Sequence, residues 1–128
     1  MPNSAPGEAV HFAKTKVNQA PSGSVLYDGK TYRVQMSRRA EAGQPELHTK
    51  DSDVFYIIAG AATFVVGGKI VDAKSTAPGE FRGTSIEGGK TIQLAQGDVI
   101  VIPDNVAHWF KQVQEPMVYF VMKEVTGK

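Results

Sequence analysis

The chain has 128 residues, 41% hydrophobic and 21% charged, with 13 glycines, 7 prolines, 3 histidines and no cysteine. That length suits one domain with a single core, and a formal charge of +1 offers no field that would draw nucleic acid or an anionic membrane. Without cysteine there is no disulfide, zinc–thiolate or iron–sulfur centre and no thiol nucleophile, so any metal must be held by oxygen and by the nitrogens of His11, His48 or His108.

No stretch approaches the roughly 18 apolar residues of a membrane span. The start, Met1-Pro2-Asn3-Ser4, has neither the basic nor the apolar region of a signal peptide. A cytoplasmic location is the simple reading, and a periplasmic or secreted one follows if a leader has been removed. Residues 1–23 read as an N-terminal arm ahead of a single domain core at about 24–124. Within that core there is almost no helical periodicity. Short β-branched and aromatic runs bounded by Gly, Pro, Asp and Asn predict an all-β fold.

Asp28-Gly29 predicts a hairpin turn between strands at 24–27 and 31–37, the second burying Tyr32, Val34 and Met36 on one face. Gly43-Gln44-Pro45 breaks the chain before a strand at 46–49. Residues 54–59 form an apolar strand ending at Gly60, and Gly67-Gly68 predicts a hairpin between strands at 62–66 and 69–71. Residues 74–89, polar and Gly-rich, read as a long excursion loop of the kind that carries function. Strands at 90–94, 99–102, 107–113 and 117–124 complete about ten, which favours a sandwich or small barrel. Residues 54–58 are apolar on both parities and call for cover on both faces, the second supplied by another subunit in a homodimer.

Two segments carry candidate chemistry. In Glu46-Leu47-His48 the acid and the histidine share strand parity, and Asp53 begins the next strand. In the segment from Gly97 to His108, a strand, a Pro-containing turn and a second strand present His108, with Phe110 and Gln112 on the same parity. Phosphate loops, a nucleophile elbow and tandem aromatics over a basic groove are missing. His11 lies outside both segments and reads as an ordinary surface histidine.

With Gly97, Pro103, Asn105, His108 and Gln112 at their spacing, the second segment resembles the second motif of the cupin superfamily, Asn105 standing for a glycine. Asn also tolerates the left-handed backbone such a turn needs. Anchored on Gly60, the first segment resembles the first cupin motif, with His48 at its second His, Asp53 at its Glu and Glu46 where its first His would stand. The stretches 53–60, 78–83 and 103–110 are similar to those of small single-domain bacterial cupins.

The resemblance implies a cupin-type β-barrel, a double-stranded β-helix or jelly roll, binding a divalent metal such as Fe, Mn, Ni or Zn. Carried over residue by residue, the metal set is Glu46, His48, Asp53 and His108. Glu46 is expected to complete the two histidines as the carboxylate of a facial triad. Asp53, one methylene shorter than Glu, either joins it, orients a histidine or acts as a base, so Asp53 and Glu46 are also the catalytic candidates. Their plainer alternative is a salt bridge at a strand end. Phe55, Ile57, Phe110 and Gln112 are expected to line the lumen, with Arg82 and Ser85 closing over its mouth, and Arg82 suited to an anionic ligand group. Three functions stay open: a metal-dependent enzyme on a small organic substrate, oxygenase-like; a non-catalytic small-ligand binding or sensing module; and a metal-dependent isomerase or lyase.

Overall fold

A computed structural model describes residues 7–125. A short helix α1 (Lys14–Gln19) is followed by β1 (Ser24–Asp28), β2 (Tyr32–Arg39), β3 (Glu46–His48), β4 (Asp51–Val66), β5 (Lys69–Val71), β6 (Lys74–Ala77), β7 (Glu80–Arg82), β8 (Ser85–Glu87), β9 (Lys90–Ala95), β10 (Val99–Ile102) and β11 (His108–Val125). The fold is all-β as expected, with the Asp28-Gly29 turn joining β1 and β2 as an antiparallel pair.

Two long strands organise the rest. β4 and β11 pair antiparallel from Asp51 opposite Val125 to Val66 opposite His108, through several bulges. One half of β4 also carries β10, and the other carries β9. β11 pairs with β2 along one half and meets β3 at His108 opposite Glu46. Phe55 and Phe64, both on β4, would be about 30 Å apart on a straight strand, yet their rings lie 6.2 Å apart. The strand therefore doubles back, and it does so at Gly60, where φ is 99° and an added Cβ would sit 2.3 Å from the Pro116 carbonyl oxygen. The two halves close on one core that includes Phe55, Ile57, Phe64, Leu94, Phe110 and Met117.

The structure corrects the expected elements in three places. The strands expected at 54–59 and 62–66 are one bent strand, and those at 107–113 and 117–124 are likewise one. A glycine or a bulge bends a strand without breaking its ladder, and local sequence signals do not separate the two. Gly67-Gly68 does not join β4 to β5 as a hairpin, because β5 pairs with β8. The expected excursion loop at 74–89 contains β6, β7 and β8; β7 pairs with β6 and β3, with Arg82 opposite Glu46 and Glu80 opposite His48. These polar strands gain order from partners distant in sequence, which periodicity cannot show.

The N-terminal arm, whose residues 1–6 lie outside the described residues, packs on the back of the sheet through Phe12, Val17 and Ala20. Phe12, Val17, Ala20 and Leu26 join Met36, Val34, Val118 and Phe120 in a second apolar cluster. Its cover stops short of the far side of the same face. There Tyr56 is 47% exposed and Val99 and Val101 are each 62% exposed. Among the described residues, no helix is long and apolar enough to cross a membrane.

Candidate metal centre

Five strands bring the site together. β3 supplies Glu46 and His48, β4 supplies Asp53, β11 supplies His108 and Lys123, β7 supplies Glu80, and β2 adds Gln35 and Ser37 around a cavity of about 250 Å³. Backbone contacts fix the turn before His108. The Asn105 N–H donates to the His48 carbonyl at 2.8 Å, and the Asp104 N–H donates to Ser52 Oγ at 3.0 Å. Asn105 takes a φ of 64°, the left-handed conformation expected of it.

The tautomers of both histidines follow from their partners. His108 Nδ1 lies 3.1 Å from the Val106 carbonyl oxygen, which can only accept, so Nδ1 carries the proton and Nε2 the lone pair. His48 Nδ1 lies 2.6 Å from Glu80 Oε1 and donates to it, which turns Nε2 toward Asp53. Burial pushes the His108 imidazole below its ordinary pKa, with the His48 ring adding to that effect and the Val106 bond and nearby acids opposing it. This shift favours the neutral ring, the form that binds metal.

Both Nε2 atoms face one oxygen. Asp53 Oδ2 stands 3.6 Å from His48 Nε2 and 4.0 Å from His108 Nε2. Asp53 and His108 are only 3% and 4% exposed. Three lone-pair atoms converging in a dry place is unfavourable unless a cation or proton joins them. Their separations match what two metal–ligand bonds of about 2.0–2.2 Å each can bridge. Around this point Asp51 and Asp53 share Lys123, and Glu80 pairs with His48, so the surroundings are rich in carboxylates. The residues fit the group. Asp51, His48 and Glu80 also lie close enough to share an ion, but there His48 Nδ1 is already taken by Glu80.

Glu46, expected to complete the triad, is not in this cluster. It lines the cavity, and its Oε1 pairs with Arg82 at 3.3 Å across the β3–β7 register. The carboxylate oxygen that meets both histidine Nε2 atoms is Asp53 Oδ2, from β4. Phe55 and Phe110 line the cavity as expected. Ile57 is fully buried in the core rather than on the cavity wall. Gln112 is exposed, because a bulge between Phe110 and Gln112 in the β11–β4 pairing flips the parity on which it was placed. Arg82 is half exposed and lines a separate hollow with Asp72, Lys74 and Thr84. Ser85 pairs with Val71 in the small sheet of β5 and β8, and His11 is exposed on the arm.

Glu80, Tyr119 and Lys123 belong to the site and were not singled out in the sequence. Lys123 had a signal. Met117, Tyr119, Val121 and Lys123 share one parity, and a lysine on an inward-facing parity calls for an acidic partner. Glu80 had none, because it lies in a polar stretch without strand character.

Comparison with known proteins agrees with this architecture. The family model described as Cupin matches residues 13–127. A cupin protein from Bacteroides fragilis superposes with a TM-score of 0.59 at 12% identity, over 98% of this chain and 89% of that one. A double-stranded beta-helix protein from Klebsiella pneumoniae gives 0.60 at 17% identity, over 93% and 92%. The DMSP lyase DddQ from Ruegeria pomeroyi gives 0.53 at 15% identity, over 75% of this chain and 39% of that one. No curated protein matches the chain in sequence. With a family model spanning residues 13–127 and a fold consistent with the double-stranded β-helix, the chain belongs to the cupin family.

Proposed function

We propose that this cupin holds one divalent metal through His48, His108 and Asp53 and acts as a metal-dependent enzyme on a small organic molecule in the adjoining cavity. The observation that carries this reading is the convergence of His48 Nε2, His108 Nε2 and Asp53 Oδ2 on one buried point, with Nδ1 of each ring held by an acceptor on the far side. A divalent ion held by two histidines and one carboxylate would supply Lewis acidity and open positions for ligands, the donor set of non-haem iron oxygenases.

The chain's own groups do the rest. Phe55, Phe110 and Val121 give the cavity an apolar wall that keeps water from one side of a substrate, and Gln35 and Ser37 offer hydrogen bonds on the other. Glu80 holds the proton on His48 Nδ1. A lyase or isomerase reading is favoured by one further observation, the presence of the Glu80 carboxylate, a group able to accept a proton, on the same cavity. The fold shared with DddQ, a DMSP lyase, is consistent with it.

Metal analysis of protein purified without added metal tests the proposal. Stoichiometric iron supports the oxygenase reading, and zinc, nickel or manganese supports the lyase or isomerase reading. No metal after reconstitution sinks both, and ligand-induced stabilisation unchanged by chelation then points to a binding module.

A further inference from the structure

Lys123 stands directly opposite Asp53 in the β11–β4 register, on the inner face of the sheet. Its Nζ lies 2.8 Å from Asp53 Oδ1, the oxygen turned away from the histidines, and 3.7 Å from Asp51 Oδ2 on the other side. The side chain is 14% exposed, so solvent screens the ammonium weakly. The ammonium thus contacts two carboxylates at once. The carboxylate that offers Oδ2 to a metal therefore already carries a cation on Oδ1.

We propose that Lys123 is a built-in counter-cation that shares Asp53 with the metal, holding Asp53 to one oxygen and keeping metal binding weak and exchangeable. This rests on the metal reading above. Two consequences follow from the geometry. Bidentate binding by Asp53 requires Oδ1, which Nζ occupies. A divalent ion on Oδ2 is repelled by the ammonium on the same carboxylate, in a place where little water intervenes. Lys123 thus acts through Asp53 as a positioning residue, and it leaves more of the metal's coordination sphere open to substrate. Metals at the weak end of the divalent series are the ones such a site releases most readily.

The test uses the full chain as wild type, Lys123→Met and Lys123→Gln, each stripped with chelator, dialysed and titrated with Mn²⁺ by calorimetry and with Co²⁺ by visible absorption. Both variants are expected to bind Mn²⁺ at least tenfold more tightly. The Co²⁺ spectrum is expected to lose intensity in Lys123→Met, where Oδ1 is freed and the coordination number can rise, and to stay near the wild type in Lys123→Gln, which removes the charge and keeps a donor on Oδ1. Unchanged or weaker affinity in both variants overturns the proposal. So does weaker binding in Lys123→Met with wild-type binding in Lys123→Gln, since the lysine would then only orient Asp53 through a hydrogen bond. If Lys123→Met does not fold without metal, Lys123→Gln, which still donates to Oδ1, carries the test. Binding by the variants alone supports the proposal and removes the metal reading for the wild type. Binding by none of the three removes both.

Discussion

His48 Nδ1 donates to Glu80 Oε1 at 2.6 Å, a bond between β3 and β7 that turns the opposite ring nitrogen toward Asp53. Partners of this kind typically change metal affinity by about 10–100-fold when removed. Glu80→Ala is therefore expected to weaken metal binding in that range without unfolding the chain, since the Glu80 side chain is 34% exposed. Glu80→Gln keeps an acceptor oxygen and is expected to lose less. Calorimetric titration with circular dichroism as the fold control decides it. Equal affinity in wild type and Glu80→Ala would show that His48 needs no anchor.

The carboxylate assignment separates just as cleanly. Asp53→Ala is expected to abolish saturable metal binding, as is His108→Ala, because each removes one of three converging atoms. Glu46→Ala is expected to leave affinity within about fivefold, since a partly exposed acid already paired to Arg82 contributes little beyond that pair. Loss of binding in Glu46→Ala with retention in Asp53→Ala would reverse the assignment.

How far the sequence led can be traced through these residues. His48 and His108 were legible because motif spacing and strand parity both point them inward, and the left-handed backbone at Asn105 was legible from residue type. The choice between Glu46 and Asp53 was not, because parity gives the face a side chain leaves from and not the partner it finds. Arg82, placed opposite Glu46 only by the β3–β7 pairing, draws that acid away. Gln112 lies on the opposite face from the one its parity predicts because of the bulge just before it, between Phe110 and Gln112. The continuity of β4 through Gly60 depends on how closely Pro116 approaches, a contact between residues far apart in sequence.

That bend gives a stability prediction. Gly60 has φ 99°, and an added Cβ would lie 2.3 Å from the Pro116 carbonyl oxygen and 2.7 Å from Met117 Cα, all backbone that cannot move alone. Gly60→Ala is expected to destabilise the fold by about 2 kcal/mol or more. Gly97→Ala serves as comparison, since its φ is 91° but nothing lies within 4 Å, leaving conformational strain without collision. Urea unfolding measures both. Equal losses would show that close packing at Pro116 adds nothing.

A second copy of the chain is the occupant we propose for the open half of the sheet face. Val99 and Val101 on β10 sit beside Tyr56 and Val54, which in turn sit beside Phe120 and Met122 on β11. These two rows continue the apolar surface that the arm covers over β2. Among the described strands β10 pairs with β4 alone, so its free edge can meet the same edge of a symmetry mate. Sedimentation at several concentrations is expected to show a dimer. Val101→Glu, at a site 62% exposed where substitution costs the monomer little, about 0.5 kcal/mol or less, is expected to give a folded monomer. A wild-type chain that is monomeric throughout ends the idea.

Tyr119 supplies the pH dependence. It is 5% exposed, with its ring 5.0 Å from that of Phe55 and 5.4 Å from that of Phe110. Burial raises its pKa above the ordinary value of 10.0, and the Arg39 charge with hydrogen bonds to Arg39 and Ser37 only partly offsets this. Below pH 10 the phenol is protonated folded and unfolded alike, so its contribution to stability is intact. As pH rises past about 10 the unfolded chain releases the proton and the folded one does not, so stability falls until the folded pKa is reached. Tyr119 is therefore expected to ionise together with unfolding, in ultraviolet absorbance. Tyr119→Phe removes the group and is expected to flatten the alkaline decline in urea midpoint, while changing stability at neutral pH by about 1 kcal/mol. An alkaline decline identical in wild type and Tyr119→Phe would mean that the phenol ionises in place, and that the cavity wall admits water where the structure packs it between two phenylalanine rings.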